Sequence, residues 1–200
     1  MLRQSKKLTI KDLVTTGIFT ALYLVFTMVG GAFFAVNPVL VFLMPLGVTL
    51  LTGPIFHLLI AKVPKHGPIL IMGILMAVIW FMTGMYWMIS VGFVVSGILG
   101  EIISGAGEFK NKALNIVSFL LMSLFSQMQP FITLLIKPSV YTNYMLKQGS
   151  TQEYLDTMMT TLAGWMVPAI LAAGIVCGLI SSFVGFQLLK KQFVKAGIVK

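Results

Sequence analysis

Nine residues with amide, phenol or indole groups fall near the ends of apolar runs or in the loops on one side of the chain: Asn37, Tyr86, Trp87, Gln127, Gln129, Tyr141, Asn143, Tyr144 and Trp165. They offer amide, hydroxyl and indole groups in strongly apolar surroundings, the combination that holds an uncharged or weakly charged organic ligand. The aromatic members have a second use, because Trp and Tyr also mark membrane–water interfaces, and with Trp80 they could form no more than such a belt. Gln127 and Gln129 fit a belt less well. An amide in hydrocarbon is costly without a partner, and these two flank the kink expected at Pro130.

Other chemistry is missing. The sequence has no Gly-x-x-x-x-Gly-Lys-Ser/Thr loop to cradle nucleotide phosphates, so the chain is not expected to hydrolyse ATP itself. The only acid inside an apolar run is Glu101, near one end of its run, where it could pair with a nearby lysine or meet a partner subunit. His57 and His66 lie toward the same side as Glu101, away from the nine residues above, and read as structural or partner-facing. No paired carboxylates and no His-Glu-x-x-His spacing occur, so no catalytic residue and no metal site is assigned and the chain is read as a non-enzyme. Met85, Met88, Met128 and Met158 could be soft ligands, but methionine is also ordinary filler between membrane helices. Cys177 is the single cysteine, which rules out an intramolecular disulfide.

The elements that must position these residues follow from hydropathy. The chain is 58% hydrophobic and 10% charged over 200 residues, too apolar for a soluble domain of this length. Apolar runs at about 13–35, 39–60, 69–82, 86–103, 113–136 and 162–189 predict an all-α integral membrane protein, a six-helix bundle in one membrane domain over 1–200. The pair 69–82 and 86–103 is barely long enough for two spans, with Thr83-Gly84 as the break. Pro45, Gly47, Gly53 and Pro54 predict a bent or broken second span. Six spans gather Arg3, Lys6, Lys7, Lys11, Lys62, Lys65, Lys110, Lys112, Lys190, Lys191, Lys195 and Lys200 on one side, which the excess of positive charge makes cytoplasmic together with both termini. The opposite side holds the nine polar residues and a loop from 137 to 161. Within that loop Ser150-x-x-Glu153 reads as a capping box opening an outer amphipathic helix at about 151–161, with Tyr154, Leu155, Met158, Met159 and Leu162 on one face, either resting on the headgroups or folding over a pocket. On the first span, Gly17-x-x-x-Ala21 puts two small side chains on one face, where another helix could approach closely.

Three segments together resemble a known family: Lys7-Leu-Thr-Ile-Lys-Asp-Leu-Val, Ala61-Lys-Val-Pro-Lys-His-Gly after Gly53-Pro54, and Leu188-Leu-Lys-Lys-Gln-Phe-Val-Lys-Ala-Gly-Ile. They are similar to the Trep_Strep family of substrate-binding S components of energy-coupling factor (ECF) importers. The resemblance implies a prokaryotic plasma-membrane protein that captures a vitamin- or cofactor-like small molecule at the outer face. Its implied partners are a transmembrane coupling subunit and two cytoplasmic ATPase subunits, which use the ATP, so no intrinsic cofactor is implied and no nucleic acid. The family's Ala-x-x-x-Ala coupling motif would map onto Gly17 and Ala21. Haem or another tetrapyrrole is an alternative ligand, and a stand-alone membrane facilitator is the alternative class.

Overall fold

A computed structural model describes residues 7–195, with side chains as far as Lys191. Arg3, Lys6 and Lys200, the side chain of Lys195, and the Ala196-Gly-Ile part of the C-terminal motif lie outside the described residues. The described chain is an integral-membrane bundle of helices without a strand. Helix α1 spans Ile10–Ala35, α2 Met44–Lys62, α3 Pro68–Met82, α4 Trp87–Ala106, α5 Lys112–Leu120, α6 Ser126–Ile136, α7 Pro138–Lys147, α8 Gln152–Thr161 and α9 Met166–Lys195. Among the described residues, five segments are long and apolar enough to cross a bilayer: Ile10–Ala35, Leu40–Lys62, Trp87–Ala106, Lys112–Ile136 and Met166–Lys191. Helix α3 has only 15 residues, about 22 Å of rise against a hydrocarbon core of about 30 Å.

Local chemistry sets the helix ends. Thr9 and Asp12 form a reciprocal capping box at the start of α1. Asn37 accepts from the Val39 and Leu40 amides at 2.8 and 3.1 Å, turning the chain from α1 into a single 3-10 turn, Leu40–Leu43, that feeds α2. The expected break in the second span is therefore confined to this entry turn: α2 runs unbroken through Pro54. The run at 113–136 is interrupted by a π turn, Leu121–Phe125, which joins α5 to α6. The hydroxyls of Ser123 and Ser126 donate to the carbonyls of Phe119 and Met122, one turn back.

Small residues let neighbouring helices touch at the backbone. A Cβ on Gly30 would lie 2.7 Å from the Gly47 carbonyl oxygen, and one on Gly73 would lie 2.8 Å from Gly97 Cα. These contacts lock α1 to α2 and α3 to α4, because without a hydrophobic force between helices close packing is what holds a membrane bundle. Gly17 plays no such part. Nothing lies within 4 Å of where its Cβ would be, and Ala21 is exposed. The buried face of α1 is instead Thr16, Thr20, Tyr23, Thr27, Gly30 and Gly31.

Contacts define two ends of the bundle. At one, Lys65 pairs with Asp12 at 2.7 Å, His66 sits edge-on to Phe109 at 5.0 Å, and the Lys112 ammonium lies over the Phe186 ring at 5.4 Å. The start of α1, the α2–α3 and α4–α5 connections and the late part of α9 thus share one basic end. Glu101 is buried there, but not against a lysine. It accepts from the amides of Gly67, Ile69 and Leu70 at 2.8, 3.1 and 3.2 Å and lies 3.3 Å from His66 Nδ1. Its carboxylate caps the N-terminus of α3, where the helix dipole favours negative charge. At the other end, α7 and α8 cover the tops of α1, α3, α4 and α6.

Candidate functional site: a neutral cavity opposite the basic end

A cavity of about 130 Å³ opens among the ends of α1, α3, α4 and α6, under α7 and α8. Most of its wall is apolar, with Val41, Met44, Met85, Ile89, Phe131 and Met145 contributing. The polar members are Trp80, Gln127, Tyr141 and Tyr154, and no charged residue lines it.

Helical phase selects Gln127. Residues two apart on an α-helix point about 200° apart, so Gln127 and Gln129 cannot face the same way. Gln127, Pro130 and Phe131, at i, i+3 and i+4, form one face and line the cavity. Gln129 is aimed at α4: its Cγ would lie 3.2 Å from a Cβ on Gly92, and its amide donates to the Phe125 carbonyl at 3.0 Å. Gln127 is 2% exposed and its side chain makes no hydrogen bond within the protein.

The indole of Trp80 is buried, and its N–H likewise has no acceptor. The Tyr141 hydroxyl makes no protein hydrogen bond either, and burial, with Tyr154 and Tyr86 close by, pushes its phenol above the ordinary value. Burial also raises the Tyr154 phenol, so both remain neutral. An amide, an indole N–H and a phenol O–H are therefore free to meet a ligand in a chamber that is otherwise apolar.

The walls are held by aromatic rings and hydroxyls. Tyr86, fully buried, lies edge-on to Tyr141 and Tyr144 at 5.2 and 5.4 Å, backing the cavity wall without lining it. The Tyr144 hydroxyl donates to the Met85 carbonyl at 3.1 Å, fixing α7 to the α3–α4 turn. Gly84 takes a positive φ of 76° in that turn, a conformation open to glycine at no steric cost. Tyr154 donates to the Ala35 carbonyl at 2.8 Å, tying α8 to the end of α1. Leu155 and Met158 of α8 are fully buried, while Met159 is exposed. The cap of α8 is Thr151, which accepts from the Tyr154 amide, and not Ser150. An additional helix, α7, occupies the first part of what the sequence presents as a loop.

Of the nine residues singled out from sequence, the structure brings Gln127 and Tyr141 into the cavity and places Tyr86 and Tyr144 directly behind its wall. Trp87 is partly exposed and stands 6.0 Å from Tyr86. Asn37 is the turn cap described above, Asn143 is exposed, and Trp165 is 70% exposed; none of them lines the cavity. Trp80 and Tyr154 do line it. Tyr154 was visible as part of an amphipathic face, whereas Trp80 sits in a helix that is apolar all round, so no periodicity pointed it inward.

No curated protein and no solved structure matches the chain. A family profile described as a hypothetical bacterial integral membrane protein (Trep_Strep) matches residues 10–195, nearly the whole sequence. That match spans the helices which build both ends of the bundle, and the chain belongs to the Trep_Strep family of bacterial integral membrane proteins.

Proposed function

We propose that the chain is the substrate-capturing S component of an energy-coupling factor importer, and that the neutral cavity takes up a vitamin- or cofactor-like small molecule. In this reading the chain crosses the membrane six times, with α3 as a short span. The basic end faces the cytoplasm, in keeping with the excess of positive charge on that side, and the cavity faces outward. Uptake is then driven by ATP hydrolysed on two partner ATPases and transmitted through a membrane coupling subunit. The cavity is the observation that carries the reading: the buried Trp80 indole N–H has no acceptor, and Gln127 and Tyr141 bring an amide and a phenol to the same apolar walls, groups available to a ligand. The outward strip of α1 at Gly17 and Ala21, with open space beside it, supports a second role as the surface on which another membrane helix docks.

Cavity size and chemistry narrow the ligand. An engineered apolar cavity of about 150 Å³ holds a single benzene ring, so this chamber as it stands suits a small ring system better than a tetrapyrrole. The absence of charge among its lining residues favours a neutral molecule with at least one hydrogen-bond acceptor and one donor.

Mass spectrometry of protein gently purified from native membranes tests the proposal. It is expected to release a stoichiometric small molecule whose rebinding is lost in Gln127→Leu. No ligand, or rebinding indifferent to Gln127, would reject the cavity as the capture site. Flux through liposomes that contain this chain alone would favour a self-sufficient facilitator instead.

A further inference from the structure

A second cleft opens at the basic end, about 140 Å³ in volume, between α2, α5 and α9. His57, Asn115, Phe109, Phe186, Lys110 and Lys112 form most of its lining. It lies at the opposite end of the bundle from the neutral cavity and shares no lining residue with it.

Two polar atoms in this cleft are buried and unsatisfied. Asn115 is 5% exposed. Its Nδ2 donates to the Phe109 carbonyl at 3.0 Å, which fixes the orientation of the amide and leaves Oδ1 as an acceptor without a donor. His57 is 2% exposed. Its Nε2 is 2.8 Å from the Ser182 hydroxyl, and its Nδ1 has no partner. Because a serine hydroxyl can donate or accept, Nδ1 can do either in return. Leaving two such groups bare is costly, so the cleft is built for an occupant that brings at least one donor.

The rim is cationic. Lys112 lies over the Phe186 ring and makes no ion pair among the described residues. Lys110 is 3.3 Å from Glu108, but both side chains are largely exposed, so that pair holds the ammonium weakly. The other acids of this end are engaged elsewhere, Asp12 by Lys65 and Glu101 by the α3 amides and His66. The N-terminus of α5, capped by Asn111, adds the positive end of a helix dipole.

We propose that this cleft binds a phosphate ester that carries a free hydroxyl, as a glycerol phosphate does. The phosphate meets Lys110 and Lys112 at the rim. The hydroxyl reaches inward to donate to Asn115 Oδ1, with His57 Nδ1 as its neighbour, and the glycerol carbons lie between Phe109 and Phe186. Bare inorganic phosphate carries a P–OH donor but no carbon to lie between Phe109 and Phe186, which is why the glycerol moiety with its hydroxyl belongs to the assignment. The same headgroup chemistry comes from an anionic lipid of the adjoining leaflet or from a soluble glycerol phosphate.

The test uses the full chain in phosphatidylcholine nanodiscs doped with phosphatidylglycerol, reading the phosphatidylglycerol retained per chain by mass spectrometry after exchange into phosphatidylcholine. Lys110→Gln with Lys112→Gln is expected to lower retention about tenfold or more, from roughly 1 kcal/mol per lysine near an anionic surface. Lys190→Gln with Lys191→Gln removes the same charge outside the cleft and is expected to leave retention within about twofold. Asn115→Asp, which sets a negative charge at the buried acceptor, is expected to abolish retention, with circular dichroism confirming the fold. A parallel arm titrates sn-glycerol 3-phosphate into phosphatidylcholine discs: binding with the same dependence on Lys112 and Asn115 identifies a soluble source, and retention of the lipid alone identifies the headgroup. Equal loss in the two lysine pairs, retention indifferent to Asn115, or no phosphate compound bound in either arm would overturn the proposal, leaving water as the occupant.

Discussion

The two ends of the bundle tie their connecting segments together in opposite ways. At the basic end charge closes the structure. Glu101 satisfies three amides of α3, and Lys65 ties the α2–α3 loop to Asp12. At the opposite end neutral hydroxyls do the tying, Tyr154 to Ala35 and Tyr144 to Met85, and the Trp80 indole beside the cavity is left without an acceptor. The contrast separates two uses of polarity: a partnered buried group stabilises the fold, while an unpartnered one costs stability and is available to a ligand. Mutations at the two ends should therefore fall on different measurements.

The largest effect is expected from Glu101→Ala, which strips the acceptor from one buried and two partly buried amides at the start of α3 and should cost about 3 kcal/mol. Thermal unfolding in detergent would read it as a marked fall in Tm, with ligand affinity at the far cavity unchanged in whatever protein remains folded. Gln127→Leu should do the reverse. It removes an amide that has no protein partner, so Tm should hold or rise slightly, while ligand binding measured by calorimetry weakens about tenfold, the loss of one hydrogen bond of roughly 1.4 kcal/mol. If Gln127→Leu unfolded the protein instead, the distinction between the two ends would fail. Tyr154→Phe should cost about 1 kcal/mol locally, seen as faster amide hydrogen exchange across α8 with little change elsewhere. The smallest effect concerns pH. Because the Tyr141 and Tyr154 phenols are raised above their ordinary value, they stay protonated, and binding should be flat between about pH 6 and 9. The stability linked to their neutral form is fully present below the free phenol value near 10 and is lost only as pH rises through the higher folded values. A binding curve that titrated near neutrality would show that an ionisable group reaches the cavity after all.

Much of the helical layout was legible because membrane spans are read from the length and hydropathy of a run, and neither depends on what the run packs against. The lengths of α1, α2 and α4 follow closely, and even the short α3 appears at its expected place. The run at 113–136 was less readable. Its π turn inserts an extra residue, rotating everything downstream by about 100° relative to a regular helix, so a helical wheel drawn through the run misplaces α6. The turn rotates Gln127 and Gln129 together, and they read as a pair in the sequence only because adjacency hides a two-residue phase difference. Glu101 was visible as an isolated acid in an apolar run, yet its partners are backbone amides, which carry no signature in sequence. Likewise Asn37 looked like a ligand group and proved to be a turn cap.

Sequence alone determined that this chain lives in lipid and where its apolar runs and the breaks between them fall, since these depend on composition and order. The tertiary structure decided which polar groups are satisfied. Trp80 and Gln127 come from helices far apart in the chain, and Asn115 and His57 belong to different helices at the other end. Whether each has a partner is settled by packing distances of a few ångströms that no local pattern encodes. Both candidate sites rest on that distinction.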